Sequence, residues 1–492
     1  MAHTHCSGGP LNIPTGWQVD IGLEIHAQLS TEAKIFSGAS TTFGNAPNSQ
    51  ACAIDLGMPG VLPKVNAAAY EKAVRFGLGV SGTINRESRF DRKNYFYPDL
   101  PKGYQITQMD LPIVVGGHVT ISNEDGTQKV IHITRAHLEE DAGKSIHDFK
   151  PTQTGVDLNR AGTPLLEIVS EPDLKNASEA VAYAKAIHHL LTYLDVCDGN
   201  MAEGSLRFDA NISVRRVDAE ALGVRSEIKN LNSFRFLEQA IHYEIERQID
   251  TLSAGGVLAQ DTRLFDPEKL ETRAMRSKET ATDYRYFPEP DLLPVKIDES
   301  FIDRIKASMP ELSGTRASRF ETSLGLPTAD AQLLAGDRSL GDYFEQLATL
   351  SGQPRLAANW VKGDILSRLR EQDLNISECP VSPEAMAELL GLTVENVVSG
   401  KTAKAVFAAL WEGDAISAST YVKEHGLEQV SDTSAIEPLV TELLREHPKQ
   451  ADDLKAGKSK LMGFFVGKVM QATSGTANPQ QVNEILRAKL GL

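Results

Sequence analysis

Apolar and polar residues alternate without interruption from Val19 to Leu29. This period of two predicts a β-strand with one face in the core and the other face in polar surroundings. Glu24 and His26 then point the same way from a rigid element. A carboxylate beside an imidazole suits divalent-metal binding or acid/base catalysis, although a strand with a solvated face produces the same pattern.

Two later segments repeat this alternation. The segment 205–215 places Asp209 on a polar face, and a third segment sets Glu227 and Lys229 on one side. Between the first segment and residue 205, an acidic run around Glu139 is typical of a strand that ends in a turn. One sheet surface could therefore collect a histidine and six acids: Glu24, His26, Glu139, Glu140, Glu203, Asp209 and Glu227.

Carboxylates this close together cannot all remain ionised unless a cation neutralises them. Oxygen donors with one imidazole favour Mg²⁺ or Mn²⁺ over zinc. Mg²⁺ usually keeps coordination positions open, so nucleotide phosphates would be natural co-ligands. The pattern therefore predicts a magnesium site that works with a nucleotide.

The chain of 492 residues is too long for one core, and two to four domains are expected. Strand patterns dominate up to about residue 295, with one clear helix whose apolar positions run from Val181 to Leu194 after Asn176 as a cap. His188 and His189 lie in this helix, where packing is the better explanation. Helical patterns then continue to the end of the sequence. We predict a mixed α+β body at 1–297, a helical domain at 298–423 and a helical tail at 424–492.

The composition, with 41% hydrophobic and 24% charged residues, is ordinary for a soluble protein. No apolar run is long enough to span a bilayer and the first residues do not resemble a signal peptide, so we expect a cytoplasmic protein. The four cysteines are scattered and indicate neither a disulfide framework nor a zinc site. The formal net charge is −16, yet residues 445–492 hold eight basic and four acidic residues, a net of +4. A local basic patch can hold a phosphate backbone, although on charge alone a solvated helix surface explains it slightly better.

Two aromatic segments, 92–104 and 276–288, combine rings with cationic side chains. Rings stack on bases, and Arg or Lys binds phosphates, although loops packed over a sheet edge explain such segments about as well. The nucleotide-binding candidates are Tyr95, Tyr97, Lys102, Arg276 and Lys278. The cations that could neutralise a transferring phosphoryl group are Arg92, Lys93, Arg160 and Arg207, and the sequence leaves the choice among them open.

Two motifs that resemble the end of a P-loop, at Gly143 to Ser145 and Gly457 to Ser459, lack the required earlier glycine. The sequence also has no glycine-and-serine-rich amidase signature and no cysteine in a nucleophile setting. We therefore predict that the chain binds ATP in another way, and that it does not itself release ammonia from an amide.

Seven motifs together resemble a known family, the B subunit of the bacterial tRNA-dependent amidotransferase (the GatCAB complex). They are residues 22–26, 92–105, 137–144 (His137-Leu-Glu-Glu-Asp-Ala-Gly-Lys), 157–167, 203–211, 227–234 and 463–467. The resemblance covers nearly the whole chain, in order. It implies a cradle domain similar in fold to glutamine synthetase, then a helical domain, and a small helical tail that holds the tRNA elbow.

The resemblance also implies an activity. The cradle would use ATP and Mg²⁺ to phosphorylate the side-chain carboxylate of Glu misattached to tRNA(Gln), or of Asp on tRNA(Asn). Ammonia made by the amidase (A) subunit, in a complex with the small (C) subunit, would then displace phosphate. The family's metal-binding positions match Glu24, His26, Glu139, Glu140, Asp209 and Glu227, and Glu24, His26 and Glu140 are expected to be essential for catalysis.

One departure from the family concerns a four-cysteine zinc knot that many members carry. The matching positions here are Ser37, Ala39, Cys52 and Asp55. Only one possible thiolate ligand remains, so we predict no zinc and a loop that is held by packing instead.

Two other functions stay open from the residues alone. A small-molecule ATP-dependent carboxylate-amine ligase of the glutamine synthetase type would need neither a helical tail nor tRNA. An RNA-binding scaffold would keep the acidic cluster for structure. Dependence of ATP consumption on misacylated tRNA, on a free amino acid, or on neither separates the three. The sequence does not decide between Asp-tRNA(Asn) and Glu-tRNA(Gln).

Overall fold

The structure is a computed structural model that describes residues 13–123, 125–150, 152–277, 283–429, 433–473 and 477–491. The chain divides into two compact units, Met1–Pro310 and Glu311–Leu492. The first unit mixes strands and helices, and the described part of the second unit is helical. The predicted fold class, an α+β body followed by helices, is confirmed.

A thirteen-stranded sheet forms the centre of the first unit. Its main path runs β15-β14-β13-β12-β1-β11-β8-β5-β4-β16, with β6 and β7 also paired to β8, and β2 paired to β6. Two small sheets pair β9 with β10 and β3 with β17. The strands are β1 Trp17–Gln28, β2 Thr83–Ile84, β3 Glu87–Ser88, β4 Asp91–Asn94, β5 Tyr104–Thr107, β6 Val114–Val115, β7 His118–Ser122, β8 Gln128–Glu140, β9 Lys144–Lys150, β10 Gln153–Asp157, β11 Pro164–Ser170, β12 Leu206–Arg216, β13 Ser226–Leu231, β14 Asp261–Asp266, β15 Glu271–Ser277, β16 Phe287–Pro288 and β17 Val295–Lys296.

In the described part of the first unit there are four helices: α1 Ala67–Gly79, α2 Ala177–Tyr193, α3 Phe234–Ser253 and α4 Glu299–Ser308. The predicted helix after Asn176 is confirmed as α2, and the Asn176 side chain accepts a hydrogen bond from the backbone N–H of Glu179. Within α2, His188 packs edge-on against Phe234, as expected for a core histidine.

The helices cover the apolar face of the sheet. Val19, Ile21, Leu23 and Ile25 on β1 are at most 1% exposed, and α2 and α3 pack on this side against β1 and β12. Burying side chains of this size stabilises the fold by about 1.5–3 kcal/mol each. The opposite face of the same strands carries the polar residues.

Strand register decides which polar residues become neighbours. The central strands are antiparallel, and only β13 and β14 pair in parallel. His26 lies directly opposite Glu167 of β11 on one side and Arg207 of β12 on the other. One pair further along, Glu24 lies opposite Asp209. Residues directly opposite each other share a face, so these side chains meet on the polar surface.

The second unit contains two separate apolar clusters, one within residues 317–427 and one within residues 436–490. Its helices are α5 Ser313–Leu324, α6 Thr328–Ala335, α7 Arg338–Ser351, α8 Pro354–Trp360, a π-helical turn Val361–Ile365, α9 Leu366–Glu371, a 3₁₀ turn Ile376–Glu378, α10 Pro383–Val394, α11 Gly400–Glu412, α12 Ala418–Glu424, α13 Thr433–Glu446, α14 Pro448–Lys455, α15 Lys460–Ala472 and α16 Pro479–Leu490. The division at 297 and 423 stays a prediction. No described helix is both long and apolar enough to cross a membrane.

Candidate functional site

Two groups of possible metal ligands lie on the polar face of the sheet. The first, called the His26 cluster, consists of His26, Glu139 and Glu167 from β1, β8 and β11. The second, called the Glu24 cluster, consists of Glu24, Asp209 and Glu227 from β1, β12 and β13. Within each cluster the ligand atoms all lie within 4.8 Å of one another.

In the His26 cluster, His26 Nε2 is 3.4 Å from Glu167 Oε2 and 4.0 Å from Glu139 Oε1. His137 Nε2 approaches the same Glu167 oxygen at 3.5 Å. Burial disfavours the charged imidazolium, but Glu167 and then Asp209 and Glu139 raise the pKa of His26 to about 9. Burial likewise opposes ionisation of Glu167, but His137 and His26 hold its pKa well below the usual range. These opposite shifts describe an ion pair between His26 and Glu167 within the cluster.

Sequence reasoning missed Glu167 as a site residue. Its strand, β11, is apolar on both faces next to this position, since Leu165 and Leu166 are both buried. A strand without alternation gives no phase, so the direction of Glu167 could not be read from the pattern. The available signal was that Glu167 is the only charged residue of β11.

In the Glu24 cluster, a lysine lies between two of the acids. Lys229 Nζ is 2.6 Å from Asp209 Oδ2 and 2.9 Å from Glu227 Oε1. Asn211 donates a hydrogen bond of 2.9 Å to Glu24. Burial, with the negative charges of Glu167, Glu227 and Asp209, raises the pKa of Glu24.

A β-bulge sets this geometry. Two residues of β13, Lys229 and Asn230, face the single residue Asp209 of β12, and Asn230 has a φ of +70°. A bulge of this kind re-aims a side chain and is common beside active sites. Burial opposes the charge on Lys229, but Asp209 and Glu227 raise its pKa above the ordinary value. Lys229 is thus a cation at the centre of the site, which the predicted set of four cations did not include.

A cavity of about 410 Å³ opens beside both clusters. Its lining includes His26, Lys93, Tyr95, Glu139, Asp141, Arg207, Asp209 and Lys229. Arg207 donates two hydrogen bonds of 3.0 Å to the buried Asp141. Burial opposes the charge of Lys93, but Glu139, Tyr286 and Glu167 raise its pKa above the ordinary value. Two of the predicted phosphoryl-binding cations, Lys93 and Arg207, therefore face the predicted acids.

Arg160 lies next to this cavity but is engaged elsewhere. Its guanidinium donates to the backbone carbonyls of Ala142 and Gly143 at 2.9 and 2.7 Å, and its Nε is 3.5 Å from Asp141. Of the nucleotide-binding candidates, Tyr95 lines the cavity, and burial raises its pKa to about 12. Tyr97 is 52% exposed. Lys278 and the side chain of Arg276 lie outside the described residues.

Three further predicted site residues, Glu140, Lys102 and Arg92, lie outside the two clusters. Glu140 points away from Glu139, because neighbouring residues of a strand face opposite sides, and it accepts hydrogen bonds from Lys102 and from the backbone N–H of Ile106. Lys102 is therefore occupied by this buried pair. Arg92 makes a bidentate pair with Glu289 at 2.7 and 2.9 Å.

Glu203 also departs from the expected surface. It is exposed in the turn before β12. Glu203 continues the alternation of β12 in the sequence. It does not share the polar face of the strand, because the extended backbone begins only at Leu206.

The positions of the family's zinc knot form a polar cluster in this chain. Asp55 accepts hydrogen bonds from Ser37 Oγ and the Cys52 N–H, both at 2.9 Å, and pairs with Lys34 at 3.4 Å. The Lys34 side chain is fully buried, and that burial lowers its pKa. That packing holds this loop stays a prediction, and a buried ion pair with its hydrogen bonds also connects these positions.

A second cavity, of about 510 Å³, is lined by Glu24. Its lining includes Gly22, Glu24, Ser170, Asn211 and Arg225. Glu24 lines this cavity, and two of its cluster partners, Asp209 and Glu227, stand beside the first cavity or next to its lining. Of the Glu24 cluster, Glu24 thus lines the larger of these two cavities and Asp209 lines the smaller.

The donor set fits a hard divalent cation. Five carboxylates and one imidazole, within two groups of three, match the oxygen-rich ligation of Mg²⁺ or Mn²⁺. The Lys229 ammonium already supplies a positive charge between Asp209 and Glu227.

Comparison with known families agrees with this architecture. The family described as "GatB/GatE catalytic domain" matches residues 19–303, and the one described as "GatB domain" matches residues 342–490. The sheet with its two clusters lies within the first match. The fold and site thus define a protein with a GatB-type catalytic domain followed by a GatB helical region.

Curated relatives narrow this class. Proteins from Thioalkalivibrio sulfidiphilus, Pseudomonas syringae pv. syringae and Laribacter hongkongensis are each 56% identical to the chain, and each comparison covers 96% of this chain and 99% of the relative. All three are named as the B subunit of "Aspartyl/glutamyl-tRNA(Asn/Gln) amidotransferase". The chain belongs to this family of amidotransferase B subunits. The family resemblance noted from the motifs is confirmed.

Proposed function

We propose that this chain is the component of a tRNA-dependent amidotransferase that activates a carboxylate with ATP. The substrate is the side-chain carboxylate of Asp on tRNA(Asn) or of Glu on tRNA(Gln). One carboxylate oxygen attacks the γ-phosphorus of ATP, the bond to the β,γ-bridging oxygen breaks, and ADP leaves. Ammonia then attacks the acyl carbon and phosphate leaves, which gives the amide. The single observation that carries this proposal is the pair of carboxylate clusters facing a cavity lined by cationic side chains.

The site residues have distinct proposed roles. The His26 and Glu24 clusters would hold Mg²⁺, which neutralises the phosphates of ATP when bound. Arg207 and Lys93 would bind the oxygens of the transferring phosphoryl group. Asp141 keeps the Arg207 guanidinium in one orientation through two hydrogen bonds, and preorganised donors of this kind stabilise charge that develops in a transition state.

In this proposal, ATP and the carboxylate substrate are assigned to the two cavities beside the clusters. The cavity of about 510 Å³ supports a place for the nucleoside, because a nucleotide there has its phosphates beside the Glu24 cluster. The carboxylate to be activated would then enter the cavity that contains Arg207 and Lys93. ATP and the carboxylate substrate would thus reach the acids from separate cavities.

The partners of the proposed reaction follow from what the chain lacks. Its sequence carries no amidase nucleophile signature, so the amidase (A) subunit, with the small (C) subunit, would supply ammonia. Misacylated tRNA would bind through the basic tail, residues 445–492. Because misacylated tRNA is the substrate, we propose that the protein works in the cytoplasm.

The test is nitrogen transfer with defined donors. The purified full-length chain, given ATP, Mg²⁺ and Glu-tRNA(Gln) or Asp-tRNA(Asn), should form the amide slowly with ammonium chloride and not at all with glutamine. Reconstitution with the amidase and small subunits should restore the reaction with glutamine. Glutaminase activity of the isolated chain, or ATP consumption that depends on a free amino acid instead of the tRNA, would contradict the proposal.

A further inference from the structure

We propose that the Lys229 ammonium holds the place of a divalent cation in the free protein and, once displaced, binds the transferring phosphoryl group. This inference rests on the proposed function, because it requires a cation at the Glu24 cluster. Lys229 would then be a third phosphate-binding side chain beside Lys93 and Arg207. Phosphate binding by Lys229 would depend on cation binding, whereas phosphate binding by the other two would not.

The position of the ammonium carries the first step. Lys229 Nζ lies 2.6 Å from Asp209 and 2.9 Å from Glu227, which are two of the three acids of the Glu24 cluster. Both carboxylates are mostly buried, with side-chain exposures of 14% and 16%. Buried carboxylates need a compensating charge, and in this structure the lysine supplies it.

The second step is a competition for the same oxygens. Mg²⁺ binds carboxylate oxygens at about 2.0–2.1 Å, so a cation on Asp209 and Glu227 would lie within roughly 4 Å of an ammonium in its present position. Like charges at that separation in a partly buried site repel strongly. The ammonium and the divalent cation therefore exclude each other from the cluster.

The third step is the direction of displacement. Lys229 lines the cavity that also contains Lys93, Tyr95 and Arg207. Its side chain is 39% exposed, and the bulge at Lys229 and Asn230 interrupts the pairing of β13 with β12, while the pairing with β14 stays regular. A flexible four-carbon chain can thus move its charge from the acids into the cavity, where phosphoryl oxygens need a positive partner.

The other cations of the cavity do not have this freedom. Arg207 is fixed to Asp141 by two hydrogen bonds. Lys93 is held over the Tyr284 ring, with its Nζ 5.1 Å from the ring centre. Only Lys229, among the described residues that line this cavity, bridges two acids of a possible cation site.

The test compares two readouts that should move in opposite directions. In Lys229→Met, Mn²⁺ affinity of the nucleotide-free protein, measured by electron paramagnetic resonance, should increase about tenfold because the competing ammonium is gone. The kcat for amidation by the reconstituted complex should fall about 100-fold because a phosphoryl ligand is lost. Measuring Mn²⁺ binding also in a Glu139→Gln background isolates the Glu24 cluster.

A matched control is available in the same unit. Lys129 makes a comparable ion pair with the partly buried Glu179 at 2.6 Å, away from both clusters. Lys129→Met should change neither Mn²⁺ affinity nor kcat. Lys229→Arg, which keeps the charge, should keep Mn²⁺ affinity close to that of the wild type.

Three outcomes are informative. Unchanged or weaker Mn²⁺ binding in Lys229→Met and Lys229→Gln, with a native circular dichroism spectrum, overturns the competition. Tighter Mn²⁺ binding with an unchanged kcat overturns the role as phosphate ligand. If wild-type protein shows no Mn²⁺ binding that Glu24→Gln removes, the proposed cation site itself fails, and that failure is distinct from a failure of the Lys229 inference.

Discussion

The two units of this protein differ in how many charged side chains they bury. In the first unit, acids and bases such as Asp20, Lys34, Glu139 and Asp141 are buried between strands. In the described part of the second unit, Arg316 is the one buried charged residue, and the two cores there are otherwise apolar. The helical unit follows the usual rule of apolar residues inside and charged residues outside.

This contrast indicates which unit contains the functional site. Removing a carboxylate from water is costly, and a fold keeps such a group only with a partner or for a function. In the first unit, buried Asp20 lines the cavity that contains Glu24, and buried Glu139 and Asp141 line the neighbouring one. In the described part of the second unit, the charged side chains other than Arg316 lie outside the buried cores, so their contribution is electrostatic attraction at the surface.

The largest expected effect separates two adjacent glutamates of β8. Glu139→Gln should lower the rate of amidation about 1,000-fold, or ~4 kcal/mol, and weaken Mn²⁺ binding, because Glu139 belongs to the His26 cluster. Glu140→Gln should leave Mn²⁺ binding close to wild type and instead destabilise the fold, because it breaks the buried pair with Lys102. Steady-state kinetics, Mn²⁺ titration and urea unfolding of both variants check this. Equal loss of Mn²⁺ binding in both would show that the division between the two faces of the strand is mistaken.

The next effect compares a buried and an exposed ion pair. Asp55→Ala should destabilise the first unit by about 3 kcal/mol, because it leaves Lys34 buried without its partner. Glu412→Gln in the second unit removes the partner of Arg368 at the surface and should cost no more than ~0.5 kcal/mol. Differential scanning calorimetry of the two variants gives both values. Similar shifts of the melting temperature would remove the contrast between the units.

A smaller effect concerns acid stability. Burial opposes ionisation of Asp141, but Arg207, Arg160 and Gln28 hold its pKa below the usual range. The resulting stabilisation is therefore present above the ordinary carboxyl pKa of about 4 and is lost as the pH falls towards the folded-state pKa. Asp141→Asn should lower stability at pH 7 and flatten its decline below about pH 4. Urea midpoints between pH 7 and pH 3 measure this, and an unchanged slope in the variant would contradict it.

The smallest effect tests the surface charges of the tail. Lys455, Lys458 and Lys460 are exposed around the start of α15, and Lys458 pairs only with the exposed Asp453 in the described contacts. Their triple replacement by Ala should raise the apparent KM for every tRNA about tenfold and flatten the salt dependence of binding, because phosphate contacts carry little sequence information. Lys404→Ala, a replacement of an exposed lysine in α11, is the control.

A chain that stops after Glu424 should show the same weakening more strongly while it retains Mn²⁺ binding at the sheet. Filter binding at several salt concentrations measures both variants. Unchanged affinity and an unchanged salt slope would show that these lysines are a solvated helix surface only.

Strand phase predicted much of the site from the sequence. Alternation in β1, β12 and β13 correctly predicted the direction of Glu24, His26, Asp209 and Glu227, because a half-buried strand records its two faces in its residue pattern. The same logic could not place Glu167, since a strand that is apolar on both sides of the polar position has no readable phase. It also grouped Glu140 with Glu139, although alternation within β8 separates them.

The sequence by itself determined the strands of the polar surface, the helix after Asn176, the change to helices near residue 295, and the family. These features depend on local periodicity or on motifs in order, and both are visible in one dimension. Only the tertiary structure decided which strands became neighbours, and with them the pairing of His26 with Glu167 and of Lys229 with Asp209. These contacts join residues far apart in the chain, and their register is fixed by the packing of the whole sheet, which no local pattern encodes.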